Sequence, residues 1–238
     1  METTAVVIQP SYIPWRGYFD LIRRSDVFVF YDDVQYDKHG WRNRNRIKTP
    51  SGPRWLTIPV HARGNTEQGT AIDRIEIDWT HDWRHSHSEQ LRHAYGKAPF
   101  YAEYAGLLDD IYAHKPALLA DFTIDSTMRI ARELGIDRTR FVRSSAFSCT
   151  GAKTARLIDL LKKIGATRYI SGPSARAYIE EEQFARAGIT LDYIAYEYAE
   201  YAQFYPPYEA GVTILDGLFM KGTQARDLIR PAFSEALR

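Results

Sequence analysis

A carboxamide and two carboxylates follow the first two apolar runs of this chain. Gln9 comes after residues 6–8, and Asp32 and Asp33 come after residues 27–30. In an open parallel sheet, ligands bind in the crevice outside the carboxyl ends of the strands. One carboxylate could act as a general base toward an amine or bind an ammonium group. Turn capping is the alternative, because aspartate side chains often bond the backbone of their own turn.

Successive side chains of a strand point to opposite faces of the sheet. We therefore expect only one of Asp32 and Asp33 to face a shared pocket. Gln35 follows them and is predicted to bind substrate. No metal is predicted, because a pair of carboxylates alone rarely specifies a cation.

Three aromatic side chains, Tyr12, Trp15 and Tyr18, lie in the proline-rich segment after Gln9. They could offer a ligand both stacking surface and hydroxyl groups. The helix that begins here could also cradle an anion with its free N–H groups. The alternative is a turn whose aromatic rings pack on the core.

Residues 41–48 combine four cations with two carboxamides. If this strip is extended, one face carries Arg42, Arg44, Arg46 and Lys48, and the other carries Trp41, Asn43, Asn45 and Ile47. Buried carboxamides need partners, which a polar substrate would provide. Arg44 has the fork geometry that suits an anion, although a solvated strand edge would also explain the cations. We predict that Trp41, Asn43, Arg44 and Lys48 bind substrate.

A strand-to-helix turn is predicted over residues 169–174, where Ser171 and Gly172 offer a hydroxyl and N–H groups. In a parallel sheet this turn lies at the same edge as Gln9 and Asp32, so Ser171 and Gly172 are predicted to bind substrate. Ordinary helix capping is the alternative explanation.

Two histidines and the single cysteine give weaker indications of a functional site. His81 and His85 have the i, i+4 spacing of a helical metal pair, but a solvated helix face is the commoner cause of that spacing. Cys149 precedes a predicted helix, which could activate a thiol. We expect it instead to be a small buried hydrophobic residue.

Composition narrows the class of protein. The chain has 238 residues and a formal net charge of +1, which gives no sign of a nucleic-acid or membrane partner. Its start has no secretory signal, and no apolar stretch approaches the ~20 residues that span a bilayer. We therefore expect a cytoplasmic protein that acts on small molecules, with no cofactor predicted.

Apolar periodicity predicts strands that alternate with helices. Strands are predicted over residues 5–9, 27–31, 54–60, 72–77, 140–143, 169–172 and 189–193, and helices over residues 16–24, 151–164 and 175–187. Residues 81–134 are predicted to be helical, with breaks near Pro99 and Pro116. This alternation predicts an α/β fold: a mostly parallel, Rossmann-like sheet covered by helices, with a central helical insertion at about 81–134. One domain over residues 1–238 is expected.

Several motifs together resemble the WbqC-like protein family. They are Gln9-Pro10-x-Tyr12-x-Pro14-Trp15-x-Gly17-Tyr18, Asp32-Asp33-Val34-Gln35-Tyr36, Trp41-x-Asn43-Arg44-Asn45-x-Ile47-Lys48, Trp55-Leu56-Thr57-x-Pro59-Val60, Trp83-x-x-x-His87, Tyr169-x-Ser171-Gly172 and Asp216-x-Leu218-Phe219. The resemblance runs nearly end to end. It implies acyl or amide-forming transfer in polysaccharide or natural-product biosynthesis. It also makes His87 a candidate acid or base.

The layout resembles, more loosely, the nucleotidyltransferases that bind ATP between two parallel strands. Where those enzymes have a histidine loop, this chain has residues 14–18 without a histidine pair. The predicted function is transfer of an activated acyl or aminoacyl group to an amine, from a donor such as a CoA thioester or an acyl carrier protein. The alternatives are an ATP-dependent nucleotidyltransferase or ligase on the same fold, and a non-catalytic sugar- or nucleotide-binding protein.

In this prediction each site residue has a role. Asp32 or Asp33 orients or deprotonates the amine, and His87 relays a proton. Gln9, Asn43 and Arg44 hold the carbonyl group or an anionic tail.

Overall fold

Five parallel strands form the central sheet in a computed structural model that describes residues 2–61 and 69–231. The strands of the described residues are β1 (Thr4–Ile8), β2 (Val27–Phe30), β3 (Arg44–Thr49), β4 (Gly52–Thr57), β5 (Arg140–Arg143), β6 (Arg168–Ser171) and β7 (Thr190–Tyr193). The helices are α1 (Arg16–Arg24), α2 (Trp83–Tyr95), α3 (Ala105–Ala113), α4 (Leu119–Glu133), α5 (Lys153–Lys163), α6 (Glu181–Ala187), α7 (Ile214–Lys221) and α8 (Ala225–Leu228).

The central sheet has the strand order β5-β2-β1-β6-β7, and every neighbouring pair in it is parallel. The chain runs outward from β1 through β2 to β5, then returns to the other side of β1 and runs outward through β6 to β7. This is the order of the first five strands of a doubly wound Rossmann sheet. The predicted α/β fold with a mostly parallel sheet is confirmed.

Apolar side chains cover both faces of the sheet, which explains why β1 and β2 read as continuous apolar runs. Phe28 and Phe30 of β2 belong to a core shared with α1 and α4. Val27 and Val29 belong to a second core, shared with α5 and α6 on the other face. The alternation along one strand therefore supplies two hydrophobic cores.

The segment between β2 and β5 holds a hairpin and three helices. β3 and β4 pair antiparallel, outside the main sheet, and the predicted helical stretch of residues 81–134 forms α2, α3 and α4. The longest helix of the described part is α4, with 15 residues, and none is both long and apolar enough to span a membrane. That residues 1–238 form one domain stays a prediction.

The strand predicted over residues 72–77 is wrong. Residues Ile72–Arg74 form a 3₁₀ turn, and only isolated bridges follow, from Glu76 and Ile77. Ile72 and Ile75 are both buried, at a spacing of three. That spacing fits a 3₁₀ turn, in which residues i and i+3 lie above one another, and not a strand of period two.

Asn45 of β3 holds the proline-rich segment that follows β1. Its buried Nδ2 donates to the carbonyl oxygens of Tyr12 at 3.1 Å and Ile13 at 2.9 Å, and its Oδ1 accepts from the N–H of Arg46 at 2.8 Å. Ile13 has φ +34, a conformation that β-branched residues rarely adopt. Asn45 therefore offsets local backbone strain with hydrogen bonds from the hairpin.

Trp15 lies over the start of α1 because residue 17 has no side chain. A Cβ built on Gly17 would lie 2.4 Å from the Trp15 ring, which is closer than atoms can approach. The absence of a Cβ therefore fixes where this ring sits.

Asn45→Ala should lower the free energy of unfolding by roughly 1–3 kcal/mol, because it leaves buried carbonyl groups without a donor. Urea denaturation monitored by circular dichroism measures this loss. Asn43→Ala is the matched control, since the Asn43 side chain donates only to the carbonyl oxygen of Ile58. An equal loss in the two variants would contradict the role assigned to Asn45.

Candidate functional site

A crevice opens where β1 and β6 separate. The two strands pair only at Thr4 with Arg168 and at Ala5 with Tyr169, whereas β1 and β2 pair at four positions. Beyond Ala5 the crevice widens into a cavity of about 820 Å³, lined by residues 6–9 of one wall and 169–172 of the other. This is the point where the strand order reverses, and ligands bind at such points in open α/β sheets.

Arg42 faces this crevice from the loop before β3. Its Nη1 donates to Oε1 of Gln9 at 2.7 Å, while its Nε is buried without a hydrogen-bond partner. No carboxylate of the described residues forms an ion pair with Arg42. Burial lowers the pKa of Arg42, although an arginine still stays charged at neutral pH. Asp37 interacts with Arg42 by charge without forming an ion pair. A half-buried cation without an ion-pair partner suits an anion or a polarised carbonyl group.

The first turn of α5 forms another part of the crevice wall, through Lys153 and Thr154. Ala152 at the N-cap has no side-chain oxygen that could accept from the first N–H groups. The N-terminal end of a helix carries a partial positive charge. Lys153 adds a positive charge beside it, and Glu180, whose N–H donates to the Thr154 hydroxyl at 3.2 Å, adds an acidic residue to the same end of the crevice. The free N–H groups and Lys153 could hold a phosphate.

Tyrosine side chains supply much of the remaining surface. Tyr31, Tyr169, Tyr178 and Tyr196 all line the crevice, and Tyr178 is 68% exposed. Aromatic faces offer stacking surface to flat or apolar groups, and each hydroxyl adds a hydrogen-bonding group. The crevice therefore combines two basic regions and the acidic residue Glu180 with aromatic walls.

A second cavity of about 400 Å³ adjoins the crevice. Trp15, Tyr18 and Trp41 are among the residues that line it. Ile8 and Arg42 line both cavities, so they lie where the two meet. Two cavities that share an unpaired cation can hold two parts of one ligand, or two ligands side by side.

The model of the WbqC-like protein family matches residues 9–228. The chain belongs to the WbqC-like protein family. A protein of Mycobacterium tuberculosis (strain ATCC 25618 / H37Rv), described as "Uncharacterized protein Rv1507c", is 41% identical to it over 229 residues, which cover 94% of this chain and 96% of that protein. No solved structure matches the chain. The resemblance drawn from the motifs is confirmed.

Six of the predicted site residues of this WbqC-like protein line the two cavities. Gln9, Ser171 and Gly172 line the crevice, and Trp15, Tyr18 and Trp41 line the second cavity. Arg42 joins them, although the sequence pattern favoured Arg44. The sequence pattern did not single out Arg42 because it treated residues 41–48 as one strand. β3 begins only at Arg44, so Arg42 belongs to a loop and its side chain does not follow the alternation of the strand.

Asp32 and Asp33 both contact the hydroxyl of Ser144, at 3.1 and 2.6 Å. The expectation that they face different sides is therefore wrong, because the chain has already left β2 at Phe30. Asp32 is fully buried and pairs with Arg143 at 2.5 Å, and Asp33 pairs with Arg156 at 2.6 Å.

These contacts join the end of β2 to the end of β5 and to α5. Neither Asp32 nor Asp33 is among the residues that line the crevice. Arg156 also interacts electrostatically with Tyr31, which does line the crevice, so Asp33 is connected to the crevice only through other side chains. That one of the two carboxylates acts in catalysis stays a prediction.

His87 and Tyr12 lie in the core, outside both cavities. His87 Nδ1 lies 2.9 Å from the Tyr12 hydroxyl, which lies 2.7 Å from the hydroxyl of Tyr112. Burial lowers the pKa of His87 to about 4, so the imidazole is neutral at pH 7. We assign no chemical step to this pair.

The remaining predicted residues contact the protein itself. Asn43, Arg44 and Lys48 each donate to a main-chain carbonyl oxygen, those of Ile58, Gly40 and Pro207 respectively. Gln35 forms an isolated bridge with Ala71. None of the four lines either cavity.

Cys149 packs against the second hydrophobic core, and burial raises the pKa of its thiol. A raised pKa leaves less of the thiolate, which is the nucleophilic form. Residues 2–61 and 69–231 contain no group of three or more His, Cys, Asp or Glu side chains placed to hold a metal ion.

Stability should fall as the pH drops from 6.5 to about 4. Over that range the unfolded chain protonates His87 while the folded protein keeps it neutral, so protons favour unfolding. His87→Leu should reduce the difference in unfolding free energy between pH 7.5 and 4.5 by roughly 1–3 kcal/mol. Urea titrations at the two pH values measure it.

The matched control is His85→Gln, which alters an exposed histidine of the same helix. It should keep the pH dependence of the unmodified protein. If His87→Leu retained the full pH dependence, the buried neutral state of His87 would be refuted.

Proposed function

We propose that this WbqC-like protein is a transferase that passes an activated acyl or aminoacyl group to an amine. In this proposal the donor is a CoA-type thioester bound in the crevice. The observation that carries the proposal is Arg42, a half-buried cation without an ion-pair partner in the described structure, placed where the crevice meets the second cavity. Acyl transfer in polysaccharide or natural-product biosynthesis is the chemistry that the family resemblance implies. We propose the cytoplasm as its location, because the sequence has no recognisable secretory signal.

The phosphates of the donor would bind at the N-terminal end of α5. Lys153 supplies a positive charge there, and the first turn of the helix supplies N–H groups. The tyrosine walls offer surface for a nucleotide base. The thioester would then extend toward Arg42.

In the transfer step the amine nitrogen attacks the carbonyl carbon of the thioester. A C–N bond forms and the C–S bond breaks. The sulfur leaves with the electron pair of that bond and takes up the proton that the nitrogen loses, so atoms and charges balance. Arg42 would stabilise the negative charge that develops on the carbonyl oxygen, while Gln9 holds the guanidinium in place.

Bringing amine and thioester together contributes further. Correct alignment alone can lower a bimolecular barrier by about 7–11 kcal/mol in favourable cases. No covalent enzyme intermediate is required, and Cys149 has no part in the proposal.

Lys153→Ala should weaken the binding of CoA by about tenfold, because a charge-assisted contact to phosphate is lost. Isothermal titration calorimetry with CoA measures this. Lys162→Ala, at the exposed far end of the same helix, is the matched control and should bind CoA as the unmodified protein does. Binding of ATP–Mg²⁺ without any binding of CoA would contradict the proposal and favour the nucleotidyltransferase alternative.

Arg42→Gln should lower kcat/KM by on the order of 10²–10³ in an assay that mixes acyl-CoA with a panel of amines and follows free thiol. Arg44→Gln is the control, since Arg44 lines neither cavity and stacks on Trp55 at 4.6 Å. Thiol release that is independent of added amine, or unchanged in Arg42→Gln, would oppose the proposed mechanism. Tight binding of CoA with no release at all would point to a non-catalytic binding protein.

A further inference from the structure

The aromatic walls of the second cavity are held in place by contacts with residues that do not line it. Trp15 packs edge-on against Tyr196, with ring centroids 5.0 Å apart. The hydroxyl of Tyr18 donates to the carbonyl oxygen of Gln9 at 3.1 Å, and the rest of its side chain is buried. Trp41 is 40% exposed. The cavity is therefore a preformed apolar space whose least buried wall is a tryptophan.

The two charged residues that line this cavity are both arginines. Arg42 and Arg46 line it, and none of the described residues that line it is an aspartate or glutamate. Arg46 is already engaged, through the carbonyl oxygen of Gly211 at 3.1 Å and Glu209 at 3.3 Å. An ammonium group in the cavity would meet guanidinium groups and no carboxylate of the lining, which disfavours it.

Arg42 and Ile8 also connect this cavity to the crevice. A ligand anchored in the crevice can pass Arg42 and place an apolar group in the second cavity. The atom beside Arg42 is then the one that joins the two parts of the ligand. A carbonyl oxygen at that position would accept a hydrogen bond from the guanidinium.

We propose that the second cavity binds the acyl group that is transferred, and that this group is an uncharged ring or branched chain. This inference rests on the proposed function. A volume of about 400 Å³ exceeds what a glycyl or acetyl group needs, and aromatic walls favour apolar groups of ring size. Aminoacyl groups that carry a free ammonium are disfavoured.

The chain offers a matched pair of tryptophans for the test. Trp41 and Trp55 pack against each other, with ring centroids 5.0 Å apart and the ring planes tilted by 46°. They are exposed by 40% and 42%, but only Trp41 lines the cavity. Calorimetric dissociation constants for CoA, acetyl-CoA, benzoyl-CoA and β-alanyl-CoA separate the contribution of the acyl group from that of the nucleotide.

Benzoyl-CoA should bind at least about tenfold more tightly than CoA, because it buries an aromatic ring. β-Alanyl-CoA should bind no more tightly than CoA. The ratio of benzoyl-CoA to CoA affinity should fall toward one in Trp41→Ala and stay high in Trp55→Ala. Trp41→Phe, which keeps a ring and guards against misfolding of the alanine variant, should retain most of the ratio.

The outcomes separate this inference from the proposed function. If CoA binds but benzoyl-CoA gains nothing, or β-alanyl-CoA binds most tightly, the assignment of the second cavity is overturned and the proposed function survives. Equal losses in Trp41→Ala and Trp55→Ala would also overturn it, because the gain would not come from the cavity. If none of the four ligands binds, the proposed function fails and this inference fails with it.

Discussion

The separation of β1 from β6 is the feature on which the crevice depends. The N–H of Tyr31 bonds the carbonyl oxygen of Ile8, and the N–H of Ile194 bonds that of Ser171. Each strand thus stays bonded to its outer neighbour to its very end, and only the seam between them opens. The two halves of the sheet are hydrogen-bonded units, so the crevice is a property of the backbone and does not need a ligand to form it.

Much of the fold could be predicted from the sequence, since its strands and helices have strong local patterns. The helix predicted for residues 16–24 is α1, with the same bounds, and the strand predicted for residues 140–143 is β5. The strand predicted over residues 72–77 was wrong because the local pattern there is ambiguous. Three isoleucines within six residues fit several local structures, and the surrounding segments select the 3₁₀ turn.

The site could be predicted where topology alone places a residue. Gln9 and Gly172 follow strand ends and Ser171 is the last residue of β6, and in a parallel sheet those ends meet. Asp32 could not be assigned in this way, because its partner Arg143 lies 111 residues away along the chain. A single sequence gives no indication of a contact between residues so far apart along the chain. To predict Arg42 as a site residue, one must know where β3 begins. The boundaries of secondary-structure elements are the least certain part of a prediction from sequence.

Gly17 has a consequence for how chains of this kind can diverge. Since a Cβ at this position would collide with Trp15, positions 15 and 17 cannot vary independently. A chain with a larger residue at position 17 must carry a smaller or reoriented one at position 15, and its second cavity then has another shape. The residues at positions 15 and 17, taken together, therefore indicate the shape of the second cavity in related chains.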